Sequence, residues 1–449
     1  MPDPRASVHI GIVADDEPQP LEVADDLPFR ILVLADLTGR KNKELRAPLA
    51  GRRPIAIDRD NFDDVVSQLQ PSLRLSGLDL RFTQLDDFHP DQLYERLPVF
   101  RKLAKLREQP PQPRAQAAAP PPNLLESIVE QLGSETGARS EDAADLPAFL
   151  KKVTASSLEP REDPGRQAWA ARTDTATAEL MRGILHHPAF QKLEAAWRAV
   201  AFLVNRLDTD GPLKIHVLDV TLEELLDDEA ATYALLQRRG DPWSVIVGDF
   251  SFAQNTEDAV RLHRLARAAR LAGAPFLAEA LPPSGTTAPE WQAFRGSADA
   301  VWVGLTVPRF LLRLPYGPGT SPVERFAFEE MPHQEHARYL WGNPAFCCAL
   351  LLGRAFLREG WQMRPGVIRE IENLPLHLYK EDGQMTAKPC AEVLLTERDA
   401  DYIMENGFMP LATLKSTDSV LLVRFQSVAD PLRALGGRWR PSSHAASVE

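Results

Sequence analysis

The chain has 449 residues, 44% of them hydrophobic, and a formal net charge of −12. That length is enough for two or three cored domains, while the acidic balance argues against a nucleic-acid partner, whose phosphates favour basic surfaces. The three cysteines, Cys347, Cys348 and Cys390, lack Cys-x-x-Cys spacing and offer no good disulfide pair, so they read as small buried thiols of a cytoplasmic protein rather than zinc ligands.

In chain order, MPDPRASVHIGIVADDEPQP has no basic region followed by an apolar one, so no secretory signal is expected, and residues 1–28 read as weakly ordered. FRILVLADLTGR is a continuous apolar run that predicts a fully buried strand. RRPIAIDRDNFDDVV predicts a short strand and a helix capped by Asp60. SLRLSGLDLRF alternates and predicts one half-buried strand. HPDQLYERLPVFRKLAKLRE predicts a single helix with Leu93, Leu97, Phe100 and Ala104 on one stripe, kinked at Pro98. Residues 29–107 thus form a small α+β unit whose sheet edges require a partner.

The proline density of residues 108–122 marks an extended linker. Residues 123–133 predict an amphipathic helix with Leu124, Leu125, Ile128, Val129 and Leu132 on one face. Such a segment suits either a partner's groove or its own domain. A polar connector follows over 134–173, and a second block covers 174–428. There LKIHVLDV, WSVIVGDF and APFLAEA read as buried strands, and LEELLDDEAATYALLQRR and TEDAVRLHRLARAARLAG as amphipathic helices. That order is βαβαβ, which predicts a parallel sheet with right-handed crossovers. A long helix is expected over about His336 to Glu359, then short strands near LPLHLY, AEVLL, PLATLK and SVLLVRF. Residues 429–449 read as a polar tail, with RALGGRWR flexible. The densest apolar run, AFCCALLLGRAF, is interrupted by Arg354 and is far too short to span a membrane. The expected fold class is α/β, the small unit and the parallel or mixed-sheet unit sharing a sheet by strand addition.

No Gly-x-Gly-x-x-Gly, Gly-x-x-x-x-Gly-Lys-Ser/Thr or Gly-x-Ser-x-Gly occurs where it would carry chemistry. Asp249, in GDF at a strand end, is either a catalytic acid or a turn and cap residue. In ILHHPAFQKLEAAWRAVAFLV, His186 and His187 are either metal ligands or bases, or the corner that starts a helix. Pro188 fits the first helical position, and Phe190, Leu193, Trp197, Val200 and Val204 make the buried stripe. His333, Glu335 and His336 have the wrong spacing for a His-Glu-x-x-His zinc site. Arg309 and Arg313, four apart in VPRFLLRLPYGPG, could present guanidinium groups to an anion or pair with carboxylates. No catalytic, cofactor-binding or metal-binding residue is expected. The rival reading is an α/β enzyme with a cryptic nucleotide or metal site at Asp249, His186 and His187.

Taken together, PFRILVLADLTGR, IDRDNFDDVV and LDDFHPDQLYERLPVFRKLAKLR resemble the small subunit of the type VI secretion contractile sheath (VipA/TssB type). ILHHPAFQKLEAAWRAVAFLV, IVGDFSF, GAPFLAEA, VGLTVPRFLLRLPYG, YLWGNPAF and GFMPLATLKSTDSVLLV resemble its large subunit (VipB/TssC type), in the family's order. The resemblance implies a non-enzymatic cytoplasmic protein whose subunits intertwine into a helical sheath around an inner-tube protein. Such a sheath is built on baseplate components, contracts to deliver effectors, and is taken apart by an AAA+ unfoldase. Partners would be other sheath subunits, self or full-length, in a homo- or hetero-oligomer without direct membrane insertion. The resemblance also implies that the face of Leu124, Leu125, Ile128, Val129 and Leu132 recruits the unfoldase. Arg309 and Arg313 are the candidate assembly residues. Two departures stand out. Both subunit types lie on one chain, and the large-subunit part stops soon after SVLLVRFQSVADPLRALGGRWRP, short of the family's C-terminal region. The alternative expectation is therefore a non-polymerising accessory that caps or adapts a sheath or baseplate.

Overall fold

Phe29–Ala35 forms strand β1 in the computed structural model, which describes residues 27–75, 77–108, 166–237, 240–282, 287–381, 383–414 and 417–439. Six further elements complete the N-terminal half: strand β2 (Ile55–Ile57), helix α1 (Phe62–Leu69), strands β3 (Ser72–Leu75) and β4 (Leu78–Arg81), and helices α2 (Pro90–Arg96) and α3 (Pro98–Glu108). The C-terminal half begins with helices α4 (Arg166–Leu185) and α5 (Pro188–Arg206) and strand β5 (Leu213–Asp219). Helices α6 (Leu222–Asp227) and α7 (Glu229–Leu236), strand β6 (Val245–Phe252), helix α8 (Thr256–Ala272), strand β7 (Phe276–Ala280), helix α9 (Pro289–Arg295) and strand β8 (Val303–Val307) continue the α/β alternation. Then come β9 (Phe310–Leu311), β10 (Trp341–Gly342), α10 (Ala345–Glu359), β11 (Glu370–Ile371), β12 (His377–Glu381), β13 (Gln384–Lys388), α11 (Glu397–Glu405), β14 (Met409–Thr413) and β15 (Val420–Leu422).

The principal sheet has nine strands in the order β11-β15-β14-β8-β7-β6-β1-β5-β2. Its middle is parallel: β1 pairs in register with β5 from Phe29↔Leu213 to Ala35↔Asp219, and on its other side with β6 from Ile31↔Val245 to Leu34↔Gly248. The outer strands β2, β15 and β11 are antiparallel to their neighbours. A strand from the N-terminal half therefore lies inside the sheet of the C-terminal half, and the small unit's need for a partner is met within the chain. Because side chains alternate across a strand, Ile31 and Val33 point into one core while Leu32 and Leu34 point into the other. The first core holds α5 and α10, the second α8 and α9, so β1 is buried on both faces. Gly353 lets α10 sit close, since a Cβ there would come within 2.9 Å of Leu207.

Several local expectations are corrected. Helix α10 starts at Ala345, not His336, because Trp341–Gly342 is committed to pairing with Phe310–Leu311, Pro344 keeps Asn343 out of helical geometry, and Asn343 Oδ1 accepts from Ala345 N. The cap of α1 is Asn61 rather than Asp60, since Asp58 Oδ1 accepts from the N–H groups of both Asp60 and Asn61 and delays the helix by a residue. SLRLSGLDLRF is not one strand but the hairpin β3–β4, with Gly77 at φ 87° in its turn. Pro98 breaks the helix instead of kinking it, leaving Leu97 extended, and Leu103 rather than Ala104 completes the buried stripe. LEELLDDEAATYALLQRR divides at Asp228, whose carboxylate accepts from Ala231 N and caps α7. AEVLL forms no strand beyond one bridge from Ala391 to Phe310. RALGGRWR docks: Leu435 is buried, Gly436 N donates to Val301 O, and Arg438 donates to Ala272 and Gly273 carbonyls at the end of α8.

Among the described residues no helix is long and apolar enough to cross a membrane.

Candidate functional site

His187 is the N-cap of α5. Its Nδ1 accepts from Ala189 N at 3.2 Å, with Pro188 in the first turn. The corner reading of ILHHPAF is the one the structure adopts, and Phe190, Leu193, Trp197, Val200 and Val204 are all buried below it. Burial pushes the His187 imidazole below its ordinary pKa, keeping it a neutral acceptor. His89 likewise caps α2, accepting from Asp91 N at 3.2 Å, again followed by proline. The repeated His-Pro dipeptide was a readable signal for this second corner. His186 turns elsewhere, its Nε2 lying 3.4 Å from Glu330 Oε1.

Glu330 belongs to a buried ionic cluster built on Arg313. Arg313 Nε and Nη2 donate to Glu194 at 2.8 and 3.2 Å, while Nη1 and Nη2 donate to Glu330 at 2.7 and 3.1 Å. Arg198 donates to Glu194 at 2.7 Å and to the Tyr316 hydroxyl at 2.9 Å, and Tyr316 N donates to Glu330 at 2.7 Å. Two cations thus meet two carboxylates that are themselves almost fully buried. Burial opposes the charge on Arg313, but Glu194 and Glu330 outweigh it and raise the guanidinium well above its ordinary value. Burial alone would raise Glu330; Arg313, His186 and the Tyr316 amide hold it at about 2 instead. Burial lifts the Tyr316 phenol to about 12. The His89 ring stands edge-on to Tyr316 at 4.8 Å, tying the N-terminal half to this cluster.

Arg309 sits in a different environment. It makes a bidentate pair with Glu392 at 2.8 and 2.5 Å and lies 3.7 Å from Glu279. Glu279 also accepts from the Ser251 hydroxyl, and burial pushes its carboxyl up to about 7. Neighbouring Asp249 is inside β6, neither a turn nor a cap residue, because the strand runs on to Phe252; Asn255 caps the following helix. Burial raises the Asp249 carboxyl against the pull of Lys192 and Asn343. His333 and Glu335 are exposed, and His336 contacts Lys388 and Glu392. Among the described residues no group of three His, Cys, Asp or Glu side chains could hold a metal ion. The candidate recruitment face Leu124, Leu125, Ile128, Val129 and Leu132 lies outside the described residues.

The junction between the halves depends on residues the sequence did not single out. At the carboxyl end of β5, Asp219 accepts from Leu37 N at 2.8 Å, Thr38 N at 3.1 Å and the Thr38 hydroxyl at 2.9 Å. Glu224 accepts from Arg40 at 2.8 Å, from Arg52 at 2.6 and 2.9 Å, from Ala47 N at 3.0 Å and from Thr221 N at 3.0 Å. Burial would raise Glu224, yet Arg52, the Thr221 and Ala47 amides and Arg40 hold it at about 2. Trp197 Nε1, from α5, donates to Leu37 O at 2.9 Å. The TGR turn of the N-terminal half therefore fills the crevice beyond the strand ends, where open α/β sheets bind ligands. A separate cleft of about 760 Å³, bordered by Arg198, Arg313 and Tyr316 of the buried ionic cluster, runs between the halves, with Leu85, Asp86 and His89 on one wall and Phe202, Leu312 and Tyr316 on the other. The junction is a clamp of ion pairs and backbone bonds.

Comparison with known proteins follows the same division. The family described as VipB, tail sheath N-terminal domain, matches residues 167–284 and 283–429, and the family described as type VI secretion system VipA matches residues 2–118. The type VI secretion system sheath protein TssC1 of Pseudomonas aeruginosa is 35% identical over 302 residues, 58% of this chain and 61% of the relative. The sheath protein TssB1 of the same organism is 29% identical over 150 residues, 30% of this chain and 77% of the relative. The chain thus spans somewhat less than two thirds of the TssC1 relative's length.

Proposed function

The chain belongs to the VipB tail sheath family of type VI secretion systems and carries a VipA region ahead of it, and on that premise we propose that it is a one-piece contractile sheath subunit. It delivers both subunit types to the growing sheath as one prepaired unit. The carrying observation is the position of β1, an interior strand flanked by β5 and β6 of the other half. Joining the halves covalently fixes their ratio and raises their effective concentration for pairing.

In this reading copies of the chain, alone or with full-length sheath subunits, stack around an inner tube on a baseplate in the cytoplasm. Contraction draws on two alternative packings between subunits and not on a reaction within the chain. The face of Leu124, Leu125, Ile128, Val129 and Leu132 recruits an AAA+ unfoldase to the contracted form. Arg309 and Arg313 act on assembly indirectly: each is engaged by carboxylates of its own chain, so they shape the subunit instead of reaching across to the next.

The test is in cells. Deleting the gene should abolish release of the inner-tube protein into the medium, and a fluorescent fusion should form long cytoplasmic structures that shorten abruptly. Undiminished release after deletion, with the fusion diffuse, would overturn the proposal.

A further inference from the structure

The hairpin β12–β13 stands apart from both main cores. Its strands pair with each other and with no other described strand. One face carries Leu378 and Met385, which are 55% and 62% exposed. By the alternation of a strand, His377, Tyr379, Thr386 and Lys388 share the other face. That face lies on a separate small apolar cluster of Leu311, Met331, Tyr339 and Trp341. The Tyr339 hydroxyl is 2.7 Å from His377 Nδ1. Lys388 Nζ stands 5.4 Å from the ring centroid of Tyr339 and 5.7 Å from that of Trp341, within cation–π range of both. It is also 2.8 Å from His336 Nδ1.

The chemistry of that last contact is one-sided. A lysine ammonium can only donate, so His336 Nδ1 must be bare and the ring proton must sit on Nε2. Nε2 faces Glu392 Oε1 at 3.5 Å, consistent with that tautomer. We propose that this is a latch: the Lys388 ammonium, caged by His336, Tyr339 and Trp341, holds hairpin β12–β13 closed over the small cluster, and a proton on His336 Nδ1 releases it. Protonation turns the acceptor into a donor and sets two cations 2.8 Å apart.

The other charged groups nearby leave that outcome in place. Glu392 faces His336 from behind, but its carboxylate is already engaged by Arg309. Glu335 and Arg338 pair with each other. His377 is kept neutral by burial, and its Nδ1 is engaged by Tyr339. Burial likewise disfavours the charge on Lys388, with Glu392 opposing. Opening would bare the Tyr339 and Trp341 rings.

Amide hydrogen exchange of the whole chain tests it, expressed as protection relative to the intrinsic rate at each pH. Protection across His377–Glu381 and Gln384–Lys388 should fall about tenfold on acidification from about pH 8 to about pH 5, while protection of β1 stays constant. Lys388→Met should give the low value at both pH values. His336→Asn, which can accept from lysine but cannot take up a proton, should give the high value at both. Intact β1 protection in each variant certifies the fold. Hairpin protection independent of pH in the wild type, or unchanged in Lys388→Met, would overturn the latch.

Discussion

Replacing Glu224 with Gln removes one charge from the clamp between the halves and almost no volume. The wild-type carboxylate is buried and takes donors from Arg40, Arg52, Ala47 N and Thr221 N. Its pKa of about 2, against an ordinary 4.5, means that the fold favours the charged form by about 3 kcal/mol. Glutamine forfeits that and turns an amide N–H towards other donors, so Glu224→Gln should cost about 3 kcal/mol at pH 7. The sign with pH is fixed. A depressed native pKa contributes stability that is complete above the unfolded value and fades as pH falls towards the native one, so the deficit should shrink to about 2 kcal/mol at pH 3.5. Urea unfolding followed by tryptophan fluorescence reads the total. Exchange of the Leu37 and Thr38 amides, which donate to Asp219 within the same clamp, reads the junction itself and should quicken. A deficit below about 0.5 kcal/mol at pH 7, the size of an ordinary surface change, or one that grows in acid, would refute the reasoning.

The two arginines should separate sharply in the same urea assay. Arg313→Met leaves Glu194 and Glu330 facing each other in a buried site and should cost about 3–5 kcal/mol, whereas Arg309→Met removes a pair whose arginine is 40% exposed and should cost about 1 kcal/mol or less. Trp197→Phe strands the Leu37 carbonyl and should cost about 1–3 kcal/mol, with exchange at the TGR turn accelerated. Glu279→Gln works in the opposite direction. Its carboxyl is raised from 4.5 to about 7, so the wild type gains from protonation below the unfolded value and loses that gain as pH rises through 7. The variant should be more stable than wild type by up to about 3 kcal/mol at pH 8.5 and equal to it below about pH 4.5, as measured by chemical unfolding.

What the sequence made legible was whatever local pattern controls. The apolar run Ile31–Leu34 of β1 and the largely apolar segments of β5–β7 read as interior strands, and Pro188 behind two histidines read as the start of a helix. Breaks at Leu97 and Asp228 were misread because a side chain overrode periodicity: Pro98 restricts its predecessor, and the Asp228 carboxylate caps a new helix. The tail at Leu435 and Arg438 looked flexible because its partners, Val301 and the end of α8, lie far away in the sequence. The clamp escaped for the same reason. Thr38 and Asp219 are separated by 181 positions, and neither LTGR nor LDVTLEEL hints at the other. At His186 the partner is long-range as well, since Glu330 approaches it already bound to Arg313.

Helical reconstruction by cryo-electron microscopy of assemblies formed by the purified chain tests the central claim most directly. The account predicts a tube in which every repeating unit contains one chain, with β1 seated between β5 and β6 of that same chain. A chain that stays unassembled both alone and with full-length sheath subunits, or a tube in which β1 lies in a neighbouring chain's sheet, would contradict it.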